Sequence, residues 1–409
     1  MTPPPHRANG LSSAAAALTP LKVSLVVSDL AGGGAVRAFL LGQVLQKLGY
    51  EVEVVGFLFG SALYAVPPDG MTIKAIPGCD YPEFLGAART LLNTLSGDLL
   101  YAVKPKPTSF GLALLHRLRR RRPLLLDMDD WELSWHGGES WRYAPSPRQF
   151  ARDVLKPGGA LRFPDHPLYL MGMERLVGWA DALTVDTTFL QQRFGGVYLP
   201  NGKDTDLFDP QAYNAIASRQ RYGLAPYRVL MFPGAPRPHK GLEDLLVALD
   251  QLNQPDLRLV IVGGNPYDDY DDRLMQQWGR WIIKLPKFAV NEMPAVLAAA
   301  HVVVVPQRDT AIARAQFPLK LTDGMAMAKP VLSTRVGDIP MIVGDTGYLV
   351  DANAPDQLAA QIQWIFDHPA EASRKGLAAR AKCVESYSTT AMAIALAPIL
   401  ETIGKRLAR

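Results

Sequence analysis

Short apolar, β-branched runs alternate with amphipathic stretches along this chain, and the series is played through twice. LKVSLVVSD (residues 21–29) is broken by AGGG (31–34). AVRAFLLGQVLQKLG then repeats apolar residues at helical spacing, and EVEVVGF follows as a second extended run. Strand, helix, strand is a crossover unit, and crossovers join parallel strands. LLYAVK, PLLLDMD, ADALTVDT and VYLPNG continue the series. Pro, Gly and Asp then concentrate in residues 201–226, and a new series opens with RVLMFPG, LRLVIVGG, WIIKLPKF, HVVVVPQ and KPVLSTRVG. The pattern predicts an α/β chain of two halves, 21–200 and 227–385, each with a parallel sheet, joined by a linker at 201–226 and facing each other across a cleft. Residues 386–409 read as a C-terminal helix that packs back on the first half. Residues 1–20, rich in Pro, Ala and Ser, read as a disordered tail.

The length of 409 residues suits two domains of ordinary size, and a net charge of +4 is too small and too scattered for a nucleic-acid partner. Two cysteines, Cys79 and Cys383, lie far apart in sequence. They offer neither metal-ligand spacing nor a disulfide framework, and they fit a reducing, cytoplasmic compartment. No uncharged apolar run is long enough to cross a membrane. Residues 131–170 differ from the rest in mixing Trp131, Trp135, Trp141, Tyr143 and Phe150 with Arg142, Arg148, Arg152 and Lys156. Such a mixture suits an acceptor lid or peripheral contact with an anionic membrane.

The segment FPGAPRPHKG (232–241) carries the sharpest chemical signal. It sets Arg237 and Lys240 in a tight turn between an apolar run and an amphipathic one. Ligands of parallel sheets bind outside the carboxyl ends of the strands, and two cations there suit a diphosphate. The turn at Gly32, Gly33 and Gly34 lets backbone approach a phosphate or sugar closely, and Arg37 follows it by one turn. The acids of DMDDWE end another apolar run. Asp129 or Asp130 there would orient an acceptor hydroxyl or take its proton, with Asp127 and His136 beside them. Lys104 and Lys106 stand at the end of a further run, where they would meet an anionic acceptor.

ADALTVDTTFLQQRF with YLPNGKDTDLFDP, FPGAPRPHKGLEDLL, FPLKLTDGMAMAKPVLSTRVGDIP and TGYLVDANAPDQLAAQI occur in that order. Together they resemble the retaining, nucleotide-sugar-dependent glycosyltransferases of family 4, whose GT-B fold has two Rossmann-like domains. The resemblance implies a hexosyl transfer from a nucleoside diphosphate sugar to an acceptor hydroxyl of a glycan, lipid or small molecule. It implies no further cofactor and no metal, although Asp127-Met128-Asp129 matches a metal-binding pattern of a different glycosyltransferase fold. Lys240 and Arg237 would hold the departing diphosphate. Gly33, Gly34, Gly234, Leu319, Lys320 and Asp323 would bind the donor, Asp323 through the ribose. Many members carry two glutamates eight residues apart; here Asp323 takes the second place and Ala315 the first, which leaves Gln316 and Asp309 as nearby polar groups. The missing carboxylate at 315 also admits a nucleotide-sugar-binding protein with little or no catalysis. An epimerase is the third alternative.

Overall fold

The computed structural model describes residues 21–265 and 268–407; the expected tail, 1–20, lies outside the described residues. Among the described residues the strands form two all-parallel sheets. The first runs in the order β3-β2-β1-β4-β5-β6-β7, built from β1 (Lys22–Val27), β2 (Glu51–Leu58), β3 (Thr72–Pro77), β4 (Leu99–Val103), β5 (Leu124–Met128), β6 (Ala182–Val185) and β7 (Val197–Tyr198). The second runs β10-β9-β8-β11-β12-β13, from β8 (Arg228–Pro233), β9 (Leu257–Val262), β10 (Ile282–Leu285), β11 (Val302–Val305), β12 (Val331–Thr334) and β13 (Tyr348–Val350). In both, the chain winds outward one way from the first strand and then returns to build the other side. Each sheet is the centre of an α/β lobe of the GT-B type.

Central strands are buried on both faces, which is why they read as unbroken apolar runs rather than alternating ones. Leu25, Val26, Val54, Val55, Leu100 and Tyr101 are inaccessible in the first lobe, as are Leu230, Met231, Leu259 and Val260 in the second. The helix Thr389–Leu407 lies in space with the first lobe, with Met392, Leu396, Leu400 and Ile403 packed among Leu25, Leu41 and Leu45. Burying each such side chain contributes about 1.5–3 kcal/mol, enough to hold this helix away from the lobe that precedes it in sequence.

The chain therefore crosses between lobes twice, and the crossings touch. Lys203 N donates to the Tyr387 carbonyl at 2.7 Å, and Thr389 N to the Lys203 carbonyl at 2.9 Å. A Cβ on Gly202 would come within 2.6 Å of the Ser388 carbonyl oxygen, so only glycine allows the two strands of the hinge to meet. The linker is shorter than the expected 201–226. Phe208 and Leu224 are buried in the second lobe's core with Val229 and Met231, and residues 215–221 form a helix on it. The Pro and Asp residues there cap and start these short helices rather than mark a free tether.

Candidate active site

Both sheets turn their carboxyl ends toward the cleft, so loops that follow strands furnish it. The second lobe's contribution begins where β8 ends. Gly234 has φ 135°, a conformation that a side chain would strain, and a Cβ there would stand 2.9 Å from Lys320 Cε. The missing side chain lets Lys320, from the helix Leu319–Ala326, lie across the strand end, with its ammonium 4.8 Å from the Phe232 ring centre. Arg237 precedes and Lys240 closes the short turn Pro238–Lys240. Burial, then neighbouring Lys320, pulls Lys240 down to about 7, against the opposing pull of Asp130. Burial draws Lys320 down to about 8. His239 is held to about 3 by burial and by Lys240 and Arg237, so it is neutral in this corner.

The first lobe answers with acids. Lys104, just after β4, takes a left-handed backbone conformation (φ 72°) that aims its side chain beneath the glycine turn. Its ammonium lies 2.5 Å from Glu132 Oε1, 3.2 Å from Asp129 Oδ1 and 3.9 Å from Asp130 Oδ2. Lys106 adds a 2.9 Å contact to Glu132 Oε2. Burial opposes ionisation of Glu132, but the two lysines outweigh it and hold that carboxyl at about 2. Burial lifts Asp130, further from Lys104, up to about 6. Among the described residues no three carboxylate, His or Cys groups are set to hold a metal ion. The cation among these acids is Lys104 itself.

Two side chains tie the lobes together across this site. Gln316 Oε1 accepts from Lys240 Nζ at 3.0 Å, while Gln316 Nε2 donates to Asp130 Oδ2 at 3.1 Å. Trp135 Nε1 donates to the same Asp130 oxygen at 2.8 Å, and its ring meets His239 edge-on, with ring centres 5.6 Å apart. The Arg237 guanidinium lies 5.5 Å from the Trp135 ring centre. The other oxygen of Asp130, Oδ1, is buried and accepts no hydrogen bond. Nearer the hinge, Thr188 N donates to Asp338 Oδ2 at 2.8 Å, and the Thr188 hydroxyl bonds the second oxygen.

The expected site residues divide under this geometry. Arg237, Lys240, Lys320 and Gly234 gather in one corner, opposite Asp129 and Asp130. Gly33 is exposed, with open space where a Cβ would stand, and Leu319 is partly exposed at the start of its helix. The space above Gly34 is taken by the Lys104 stem, 3.1 Å from a built Cβ, so its missing side chain serves packing. Arg37 and Asp127 are corrected: neither reaches an acceptor. Arg37 is 2% exposed and grips Asp127 through Nε and Nη2 at 2.9 and 2.8 Å, while Nη1 and Nη2 also bond Asn201 Oδ1 and the Leu199 carbonyl. Lys104 and Lys106 are corrected as well, because Glu132, Asp129 and Asp130 neutralise them within the protein. His136 is exposed on the turn Glu132–His136. Asp323 pairs with Lys203 at the hinge, and not with Lys320 one turn away. Gln316 stood in the sequence reading only as a nearby polar group, and Trp135 and Lys203 were not among its site residues. For Lys203 the available signal was that it directly follows the Pro-Asn-Gly turn.

The second lobe, residues 227–368, matches the family model for glycosyl transferases group 1. The chain is also 28% identical, over 333 residues, to the GDP-mannose-dependent alpha-(1-6)-phosphatidylinositol monomannoside mannosyltransferase of Mycolicibacterium smegmatis, covering 76% of this chain and 86% of that relative. The second lobe is a group 1 glycosyltransferase domain. Solved structures extend the likeness of this glycosyltransferase to both lobes. Sucrose-phosphate synthase from Thermosynechococcus elongatus superposes with a TM-score of 0.72 over 94% of this chain and all of that one, at 17% identity. Anabaena HepE, solved in complex with UDP-glucose, gives 0.69 over 93% of this chain, also at 17% identity and over the whole of that structure. These two show the shared two-lobe fold.

Proposed function

We propose that this glycosyltransferase moves a hexosyl group from a nucleoside diphosphate sugar to an acceptor hydroxyl, with retention of configuration. The observation that carries the reading is the facing of Arg237, Lys240 and Lys320 against Asp130 across the cleft. Lys240 and Lys320 are held below their ordinary pKa by burial in a corner short of anions. A diphosphate relieves that deficit, and more so as it leaves and gains charge; stabilising developing charge in a dry site is the largest single source of rate in many enzymes. Asp130, ionised at neutral pH with one oxygen unengaged, receives the acceptor hydroxyl on the opposite side. Asp323, placed one turn beyond Lys320, is assigned to the ribose. Retention rests on the resemblance to family 4.

GDP-mannose is the first donor to test, since the Mycolicibacterium smegmatis relative is named for it. A lipid-linked acceptor is consistent with that relative's name and with the surface of residues 131–170. This insertion covers the carboxyl ends of the first sheet. Tyr81 N, after β3, donates to the Arg162 carbonyl at 2.8 Å, Phe59, after β2, packs on Phe163, and Thr108, after β4, bonds Asp165. Its helix Pro147–Leu155 buries only Asp153 and leaves Phe150 50% and Leu155 74% exposed, alongside Arg148, Arg152 and Lys156. We assign peripheral contact with an anionic bilayer to that face, in a cytoplasmic, membrane-associated protein. The basic block Arg119–Arg122 precedes β5 and so lies at the other end of the sheet, away from this face. No helix among the described residues is long and apolar enough to cross a membrane.

The deciding experiment measures nucleoside diphosphate release from a panel of donors. Lys240→Ala should lower turnover at least about a hundredfold, the scale of removing one transition-state donor. Turnover close to that of the wild type would remove Lys240 from its role.

A further inference from the structure

Asp309, before the short helix Ala311–Arg314, and Ala315 and Gln316, after it, are the three positions the sequence offers to a donor sugar, and the structure separates them. Ala315 is fully buried and belongs to the first lobe's apolar cluster with Trp131 and Leu133, where it seals the seam between lobes. Asp309 is gripped by Arg314, Nε to Oδ1 at 2.5 Å and Nη2 to Oδ2 at 2.6 Å, on the outer surface. Gln316 alone of the three points a polar group into the cleft, and it stands between Lys240 and Asp130, accepting from one and donating to the other. A hexosyl group that passes from a diphosphate held by Lys240 to a hydroxyl held by Asp130 must pass beside this amide. A carboxamide has two N–H donors and two acceptor lone pairs. One of each is engaged here, and one of each remains for hydroxyls of the sugar.

We propose that Gln316 is the residue that reads the donor hexose: its amide hydrogen-bonds a ring hydroxyl of the transferred sugar and sets which hexose is accepted. The inference rests on the donor-binding reading of the cleft given above. An amide that donates and accepts at once can fix the direction of a hydroxyl, and a buried polar group left without its partner penalises the analogue that lacks it. Gln316 also takes part in closing the lobes, so a loss of activity alone would not distinguish the two roles. Closure acts on nucleotide and nucleotide sugar alike, whereas sugar reading acts only on the second.

The test therefore uses the ratio of two affinities in the full-length protein. Binding of GDP and of GDP-mannose is measured by calorimetry for the wild type, Gln316→Ala and the near-isosteric Gln316→Glu, together with GDP-mannose analogues each lacking one ring hydroxyl. The same set is repeated with UDP and UDP-glucose. For whichever base binds, the wild type should discriminate against one deoxy analogue by about tenfold or more. Gln316→Ala should abolish that discrimination, whatever common change the lost closure contacts make in the affinities for nucleoside diphosphate and nucleotide sugar. Gln316→Glu should alter the preference without restoring it. Equal discrimination in all three proteins overturns the role of Gln316 and leaves the glycosyltransferase reading standing. A wild-type protein that binds neither nucleotide overturns that reading and this inference with it.

Discussion

Lys203 and Asp323 form an ion pair that joins the hinge to the helix Leu319–Ala326. Both side chains are mostly buried, and Lys203 also lies 4.6 Å from the Phe208 ring centre. The carboxylate assigned to the ribose is thus held in place by the segment that joins the lobes. Asp323→Ala should weaken GDP or UDP binding about ten- to a hundredfold, the range for losing hydrogen bonds to a charged group. Calorimetry checks this, and binding within twofold of wild type would remove Asp323 from the donor site.

Lys240 gives the cleft a pH dependence whose sign follows from its depressed pKa of about 7. A bound diphosphate favours the ammonium, so binding above that pH must take up a proton. The surrounding charges are Lys320, Arg237 and Asp130, and Asp130, titrating near 6, adds negative charge over the same rise. Affinity for GDP-mannose or UDP-glucose, whose diphosphates do not titrate in this range, should fall about tenfold or more between pH 6 and pH 8.5. Lys240→Ala should flatten most of the profile. A wild-type affinity constant across that interval would refute the assignment.

Arg37 and Asp127 make a buried, bidentate pair, and Thr184 adds a 2.6 Å bond to Asp127 Oδ1. Removing one partner leaves the other charged and unpaired, at a cost of about 3–5 kcal/mol. Arg37→Ala should lower the melting temperature sharply, whereas Arg37→Lys, which keeps the charge and loses the fork, should fall between. An unchanged melting temperature for Arg37→Ala would contradict this structural role.

For the insertion, the expected partner is a bilayer. The double variant Phe150→Ser/Leu155→Ser should sediment several-fold less with vesicles containing phosphatidylglycerol, and salt should weaken the binding of both proteins, since basic side chains supply part of the attraction. Neither residue touches the donor corner, so nucleotide affinity should stay at the wild-type value. Wild-type protein that ignores such vesicles would dismiss the membrane contact.

The alternation of apolar and amphipathic runs was enough to predict two parallel α/β halves. Two strands were not seen in advance. TIKAIP (β3) and YLV (β13) are the outer strands of their sheets, short or broken by Lys and Pro as edge strands tend to be, and so lack the continuous apolar signal of a central strand. The turn from Phe232 to Gly241 was legible because the residues that make a cationic corner are close in sequence. Arg37 misled: its place one turn after the glycines suggests an exposed cation, but its partner is Asp127, ninety residues on. Lys104 and Lys106 misled in the same way, because the acids that neutralise them follow a different strand.

What the sequence determined alone is architecture, since periodicity and β-branched composition act locally and decide which segments become buried strands. It also determined that cations would stand at the end of β8. Only the tertiary structure decided which charge meets which. Gln316 and Asp130 are 186 residues apart, yet they share a hydrogen bond. Charge pairing and hydrogen bonding fall off within a few ångströms, so their partners are chosen by how the two lobes close and not by order along the chain.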